Sequence, residues 1–112
     1  MLAGHLKLSN LTAIVDRNRL GATARTEDML SLEPLGAKLE SFGWSVQSID
    51  GHDVGAMTTA LKGKAKGKPM AFIANTVKAR GVNFMEDDVT WHHRVPSQSE
   101  TERAKALIKR AD

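Results

Sequence analysis

The chain has 112 residues, 41% of them hydrophobic, and its 16 basic and 13 acidic side chains leave a formal charge of only +3. That length allows one small domain with a modest core, and so slight a basic excess is a weak argument for nucleic acid. With no cysteine, disulfides and thiolate metal sites are excluded and a cytoplasmic location is expected; no apolar run approaches the ~20 residues of a membrane helix, and residues 1–7 are too polar for a secretory signal.

Leu11-Thr12-Ala13-Ile14-Val15 is a β-branched apolar run that predicts a buried strand. A polar segment from Asp16 to Glu27 follows. Leu35, Leu39 and Phe42 recur at helical spacing, with Pro34 suited to the first turn and Gly43 to the end. Trp44 to Ile49 alternates apolar with polar and predicts a second strand. Asp50-Gly51-His52-Asp53 reads as a turn with Gly51 in an unusual backbone conformation. Asp53 is placed to cap a helix with Val54, Met57 and Leu61 on its apolar face. A basic, glycine-rich connection from Gly63 to Lys68 leads to the third strand, Met70-Ala71-Phe72-Ile73-Ala74. Residues 76–96 form a long aperiodic loop, the usual mark of a binding loop in a compact domain. Ser97 with Glu100, or Ser99 with Glu102, suits a capping box ahead of a closing helix faced by Ala104, Leu107, Ile108 and Ala111.

Strand and helix alternate with short connections. The expected fold is therefore α/β, a three-layer α/β/α arrangement with a small parallel sheet buried on both faces, all within one domain spanning 1–112. Three strands leave exposed edges that would seek a neighbour.

The chemistry concentrates in two loops. Ile14-Val15-Asp16-Arg17-Asn18-Arg19-Leu20-Gly21 runs from a strand into a polar turn, and ligands of α/β proteins bind where strands end. Asn18 alone reads as a turn initiator. Its neutral carbonyl oxygen, joined by a backbone carbonyl two residues on, also suits a hard cation such as magnesium. Asp16 is an alternative ligand, more in keeping with a structural role. In the long loop, Lys78 is either a solvated lysine or a point charge for a phosphate. His92, beside Trp91, is either a surface histidine or a hydrogen-bond and proton-exchange group. The lysine run from Lys62 to Lys68 reads as a solvated helix end and loop. Arg17, Arg19 and Arg25 lie where they could help hold anions.

These segments together resemble the second half of the thiamine diphosphate-binding domain of transketolases. The resemblance is carried by Leu8-Ser9-Asn10-Leu11, the Asn18 loop, Phe42-Gly43-Trp44, the Asp50 turn, Thr76-Val77-Lys78-Ala79-Arg80-Gly81, and an acidic stretch ending in Trp91-His92. It runs from Leu6 to the closing helix, which looks like the end of the amino-terminal subunit of transketolases split over two chains. The resemblance implies that Asn18, by its side chain, and Leu20, by its main chain, hold Mg2+ or Ca2+. It implies that Asn18, Lys78 and His92 bind the thiamine diphosphate, with His92 also catalytic toward a sugar phosphate. Ala79 and His93 stand where the family usually has glycine. The family's Gly-Asp-Gly metal element, its upstream cofactor-facing histidines and its pyrimidine-binding domain are not found here, so the upstream half of the domain is expected to be missing. The expected activity is part of a two-carbon ketol transfer in the pentose phosphate pathway, silent in this chain alone. The expected partner is a complementary chain carrying the pyrimidine-binding domain, within an oligomer, with neither nucleic acid nor membrane involved. A different class of function, a non-catalytic module that pairs with another chain through its open sheet, fits the same architecture.

Overall fold

The computed structural model describes residues 1–63 and 66–109. Lys64 and Ala65 of the basic connection, and Ala111 of the closing helix, lie outside the described residues. The elements in order are α1 (Leu2–His5), β1 (Thr12–Arg17), α2 (Thr26–Met29), α3 (Leu35–Ser41), β2 (Ser45–Asp50), α4 (Val54–Lys62), β3 (Met70–Asn75), a 3-10 turn (Val89–His92) and α5 (Gln98–Ile108). The fold is α/β. The chain divides into two compact units, one of Met1–Arg17 with Leu32–Thr76, the other of Asn18–Ser31 with Val77–Asp112.

The first unit holds a three-stranded parallel sheet in the order β1-β3-β2. The last strand in sequence is thus the central one, hydrogen-bonded on both sides, and it is the most apolar. Ala71, Phe72, Ile73 and Ala74 are all buried. A strand covered on both faces reads as a continuous hydrophobic run, and that is what residues 70–74 are. Burying a side chain such as Phe72 contributes about 1.5–3 kcal/mol. Helices α3 and α4 both pack on β2. Gly43 ends α3 with φ +86°, the left-handed conformation that favours glycine after a helix. Asp53 caps α4 by accepting from the Ala56 N–H at 2.8 Å.

Several local expectations are corrected. The sheet is not buried on both faces throughout: Ile14 on β1 is 51% exposed, because an edge strand needs a cover that none of the described residues provides. β1 continues through Asp16 and Arg17, since both polar side chains find partners. Asp16 accepts from the Thr76 hydroxyl, and Arg17 meets Glu33. Val54 and Leu61 are exposed; the half-buried side of α4 is Ala56, Met57 and Ala60. Phe42 and Ile108 are likewise exposed, as residues just past or at the end of a helix. Gly51 does not have the positive φ expected of it. Its need is steric: a Cβ there would lie 2.5 Å from Thr76 Cγ2 and 3.2 Å from the Asn75 carbonyl oxygen.

The second unit is built from loops pinned by α5. Trp91 is buried, meets the Phe84 ring edge-on at 5.8 Å between centroids, and donates from Nε1 to the Phe84 carbonyl at 3.3 Å. Arg94 lies over the Trp91 ring at 4.2 Å and Arg103 over Phe84 at 4.5 Å. Such cation–π contacts are worth ~0.5–1 kcal/mol each at exposed positions. The long loop thus has an aromatic anchor where helical or strand periodicity is lacking. Short helices Thr26–Met29 and Val89–His92 lie in segments read from sequence as irregular; four residues are too few to show a period.

Candidate functional site

Asn18, Leu20, Lys78 and His92 all belong to the second unit. Directly after β1, the Leu20 N–H donates to Asn18 Oδ1 at 2.9 Å, closing an Asx turn around Arg19, whose φ is +64°. An asparagine oxygen can accept twice, so the turn occupies one acceptor position and leaves capacity for a cation. The turn and ligand readings of Asn18 are therefore compatible. Both Asn18 and Leu20 are half-buried.

Leu20 is held by an antiparallel bridge to Arg25. Its flanking hydrogen bonds are Gly21 N–H to the Ala24 carbonyl at 2.8 Å and Thr26 N–H to the Arg19 carbonyl at 3.0 Å. Lys78 is half-buried at the start of the long loop, and its carbonyl accepts from the Asp87 N–H at 3.2 Å. The loop between them turns sharply, with Ala79, Gly81 and Asp87 all at positive φ and the Gly81 N–H donating to Glu86 Oε1 at 2.7 Å.

His92 is exposed, at the end of the 3-10 turn. Buried Trp91 fixes the base of that turn, and Asp88 caps it by accepting from the Thr90 N–H at 2.9 Å. This bond chiefly holds the Asp88 carboxyl below its ordinary value. The His92 and His93 rings meet edge-on at 4.5 Å between centroids, so the residue standing where the family usually has glycine contacts the candidate catalytic imidazole.

Two of the three arginines assigned to anions are committed elsewhere. Arg17 is buried against Glu33, and Arg25 forms a two-point pair with Asp87. The Asp87 carboxylate, by hydrogen bond and then by charge, raises the Arg25 guanidinium above its ordinary value. Among the described residues, no group of three His, Asp or Glu side chains is placed to hold a metal, and no helix is long and apolar enough to cross a membrane. A cation at the Asn18 loop would meet neutral oxygens of this chain. The Asn18 amide and Leu20 carbonyl are hard donors suited to Mg2+ or Ca2+. They fit such a site as contributors of two ligands, the rest coming from phosphate, water or another polypeptide.

Sequence reasoning missed Asp87. It stood unremarked in the acidic stretch, and its partner Arg25 lies 62 residues away, beyond any local pattern.

The family model for the transketolase thiamine diphosphate-binding domain matches residues 1–107. A subunit of the apulose-4-phosphate transketolase of Actinobacillus succinogenes is 38% identical over 110 residues, 97% of this chain and 40% of that protein. Human transketolase-like protein 2 is 38% identical over 110 residues, covering 96% of this chain and 17% of that one. Among solved structures, transketolase from Campylobacter jejuni superposes with a TM-score of 0.84 at 30% identity, over 96% of this chain and 17% of the other. The chain therefore spans two-fifths or less of the length of these relatives. It belongs to the transketolase family, within its thiamine diphosphate-binding domain.

Proposed function

We propose that this chain contributes part of a divalent-cation and thiamine diphosphate site for two-carbon ketol transfer between sugar phosphates. The observation that carries this reading is the Asn18 turn, which holds a neutral amide oxygen two residues from the Leu20 carbonyl in the loop that leaves β1. Asn18 and Leu20 would hold Mg2+ or Ca2+ and through it the diphosphate. Lys78 would neutralise phosphate charge, and His92 would hydrogen-bond the diphosphate and exchange a proton with the substrate hydroxyl. When bound, thiamine diphosphate supplies the nucleophilic carbon for ketol transfer; the protein orients and neutralises.

With two cation ligands, the chain acts with a complementary chain carrying the pyrimidine-binding domain, as the Actinobacillus relative, itself named as one subunit of a transketolase, suggests. It is silent without that partner and works in an oligomer, in cytoplasmic carbohydrate metabolism of the pentose phosphate type. Calorimetry with Mg2+ and thiamine diphosphate tests the reading, with and without purified polypeptides carrying the rest of the Actinobacillus subunit and its companion chain. Heat is expected only when the other chains are present, and is lost in Asn18→Ala. Ketol transfer by the purified 112-residue chain alone would contradict the division of labour.

A second reading, a non-catalytic module pairing through its sheet, is favoured by one observation. Edge strand β1 leaves Ile14 51% exposed. Association that persists without cofactor and in Asn18→Ala would select it.

A further inference from the structure

The geometry points to the Arg25–Asp87 ion pair as a positioning latch that sets the Leu20 and Lys78 main chains at a fixed separation, so that a cation ligand and a phosphate-neutralising lysine present together. The inference rests on the reading of the Asn18 loop as a cation site. Each end of the pair lies one backbone contact from a candidate ligand. Arg25 is the bridge partner of Leu20, and the Asp87 N–H is bonded to the Lys78 carbonyl. Between them the guanidinium fork meets the carboxylate twice, Nη2 to Oδ2 at 2.5 Å and Nη1 to Oδ1 at 3.3 Å. A two-point contact fixes orientation as well as distance, which a single lysine–carboxylate bond does not.

The backbone at both ends is built for the task. The hydrogen-bonded turn from Arg19 to Thr26 fixes the main chain from which the Arg25 side chain reaches Asp87. Asp87 has φ +52°, a conformation aspartate and asparagine tolerate better than most residues. The two side chains are 53% and 49% exposed. Pairs this open contribute little to global stability, so a stability role alone gives a poor account of a two-point contact joining segments 62 residues apart in sequence.

The test is a double-mutant cycle on the full 112-residue chain with Arg25→Gln, Asp87→Asn and both together. Asparagine keeps the left-handed backbone of position 87 while removing its charge. The readout is the Leu20 amide, whose hydrogen bond to Asn18 reports directly on the turn. Each single change is expected to speed Leu20 amide exchange about two- to fivefold, the range for exposed ion pairs, with the thermal midpoint nearly unchanged. The double variant should be no faster than either single one. Arg25→Lys should restore only part of the protection, and 0.5 M NaCl should speed exchange in the natural sequence but not in Asp87→Asn. An unchanged Leu20 amide in Asp87→Asn, or effects that simply add, would overturn the latch. A parallel titration with Mg2+ and thiamine diphosphate, in the presence of the complementary chains, follows the Asn18 side-chain amide resonance. A resonance that never moves would sink the cation reading itself, separately from the exchange result.

Discussion

Arg17 and Glu33 form the most buried charge contact described in the chain. The guanidinium, 4% exposed, donates from Nε at 3.0 Å and from Nη2 at 2.9 Å to a single oxygen, Glu33 Oε1. The other carboxylate oxygen, Oε2, accepts from the Leu35 N–H at 2.9 Å, at the start of α3. One side chain thus neutralises the end of β1 and satisfies a free amide of the helix that packs on β2. Glu33→Gln keeps one acceptor oxygen and can serve either partner but not both; Glu33→Ala serves neither. Glu33→Ala should lower unfolding free energy by about 1–3 kcal/mol, as expected for hydrogen bonds to a buried charged group, and Glu33→Gln by roughly half of that range. Urea denaturation of the two variants beside the parent chain measures both, and equal midpoints in all three would refute the assignment.

The loop after Lys78 carries an alanine and a glycine in opposite relation to their backbones. Ala79 has φ +58°, where a Cβ is unwelcome, and Gly81 has φ +92°, where its absence is needed. Left-handed backbone costs a non-glycine residue about 1–2 kcal/mol, against which glycine's extra chain entropy costs about 0.5–1 kcal/mol. Ala79→Gly should therefore stabilise by roughly 0.5–1 kcal/mol, the difference of these two terms. Gly81→Ala should destabilise, although nothing lies within 4 Å of its would-be Cβ. Chemical denaturation followed by tryptophan fluorescence separates the two. A destabilised Ala79→Gly would show that the alanine methyl makes a contact outweighing its strain.

Gly51 makes a different demand on its backbone. Its would-be Cβ would meet Thr76 Cγ2 at 2.5 Å and Ala74 Cβ at 3.1 Å. Thr76 cannot simply rotate away, because its hydroxyl donates to Asp16. Gly51→Ala is expected to cost about 1–3 kcal/mol, the range for overpacking. Adding Thr76→Ser removes the Cγ2 methyl, keeps the hydroxyl, and should recover most of that loss. Thermal midpoints of the single and double variants decide it; no recovery would place the clash at the Asn75 carbonyl instead.

What the sequence discloses here depends on how locally each feature is encoded. The central strand announces itself because Met70-Ala71-Phe72-Ile73-Ala74 is apolar throughout, and caps such as Asp53 and Ser97 are read within four residues. Asn18 is visible as a turn former for the same reason, and its bond to Leu20 spans two positions. Exposure is not local. Ile14 has the composition of a core residue, yet its burial depends on whether something covers β1. Arg25 and Arg17 look alike in sequence, but one is exposed and the other buried, and their carboxylate partners lie 62 and 16 residues away. The elements were therefore legible, whereas the ion pairs that orient the loops were not.

The cap of α5 links acidity to the loop that carries His92. Ser97 Oγ accepts from the Glu100 N–H at 3.3 Å, and Glu100 Oε2 accepts from the Ser97 N–H at 2.8 Å, completing a capping box. Chiefly through that backbone bond, Glu100 is held below its ordinary value of 4.5. A carboxyl with a depressed folded pKa stabilises the fold above its unfolded value and loses that contribution as pH falls through the folded one. The stability of α5 should thus be flat above about pH 5 and decline as pH drops below the ordinary carboxylate range. Arg94 donates to Glu100 and lies over the Trp91 ring, so protonating Glu100 also frees the guanidinium that covers His92's neighbour. Glutamine serves as well as glutamate in a capping box, so Glu100→Gln should keep α5 folded while removing its part of the acid decline. Asp88, held below its ordinary 3.8 by the Thr90 N–H, titrates in the same direction and remains in that variant. Amide exchange at Ala104 measured from pH 6 down to pH 3 isolates the Glu100 contribution. The same acid dependence at Ala104 in Glu100→Gln as in the parent chain would refute the assignment, and Ser97→Ala, which also removes the hydroxyl that donates to Glu100 Oε2, should weaken the helix by about 1 kcal/mol with the carboxylate ionised and by less in acid.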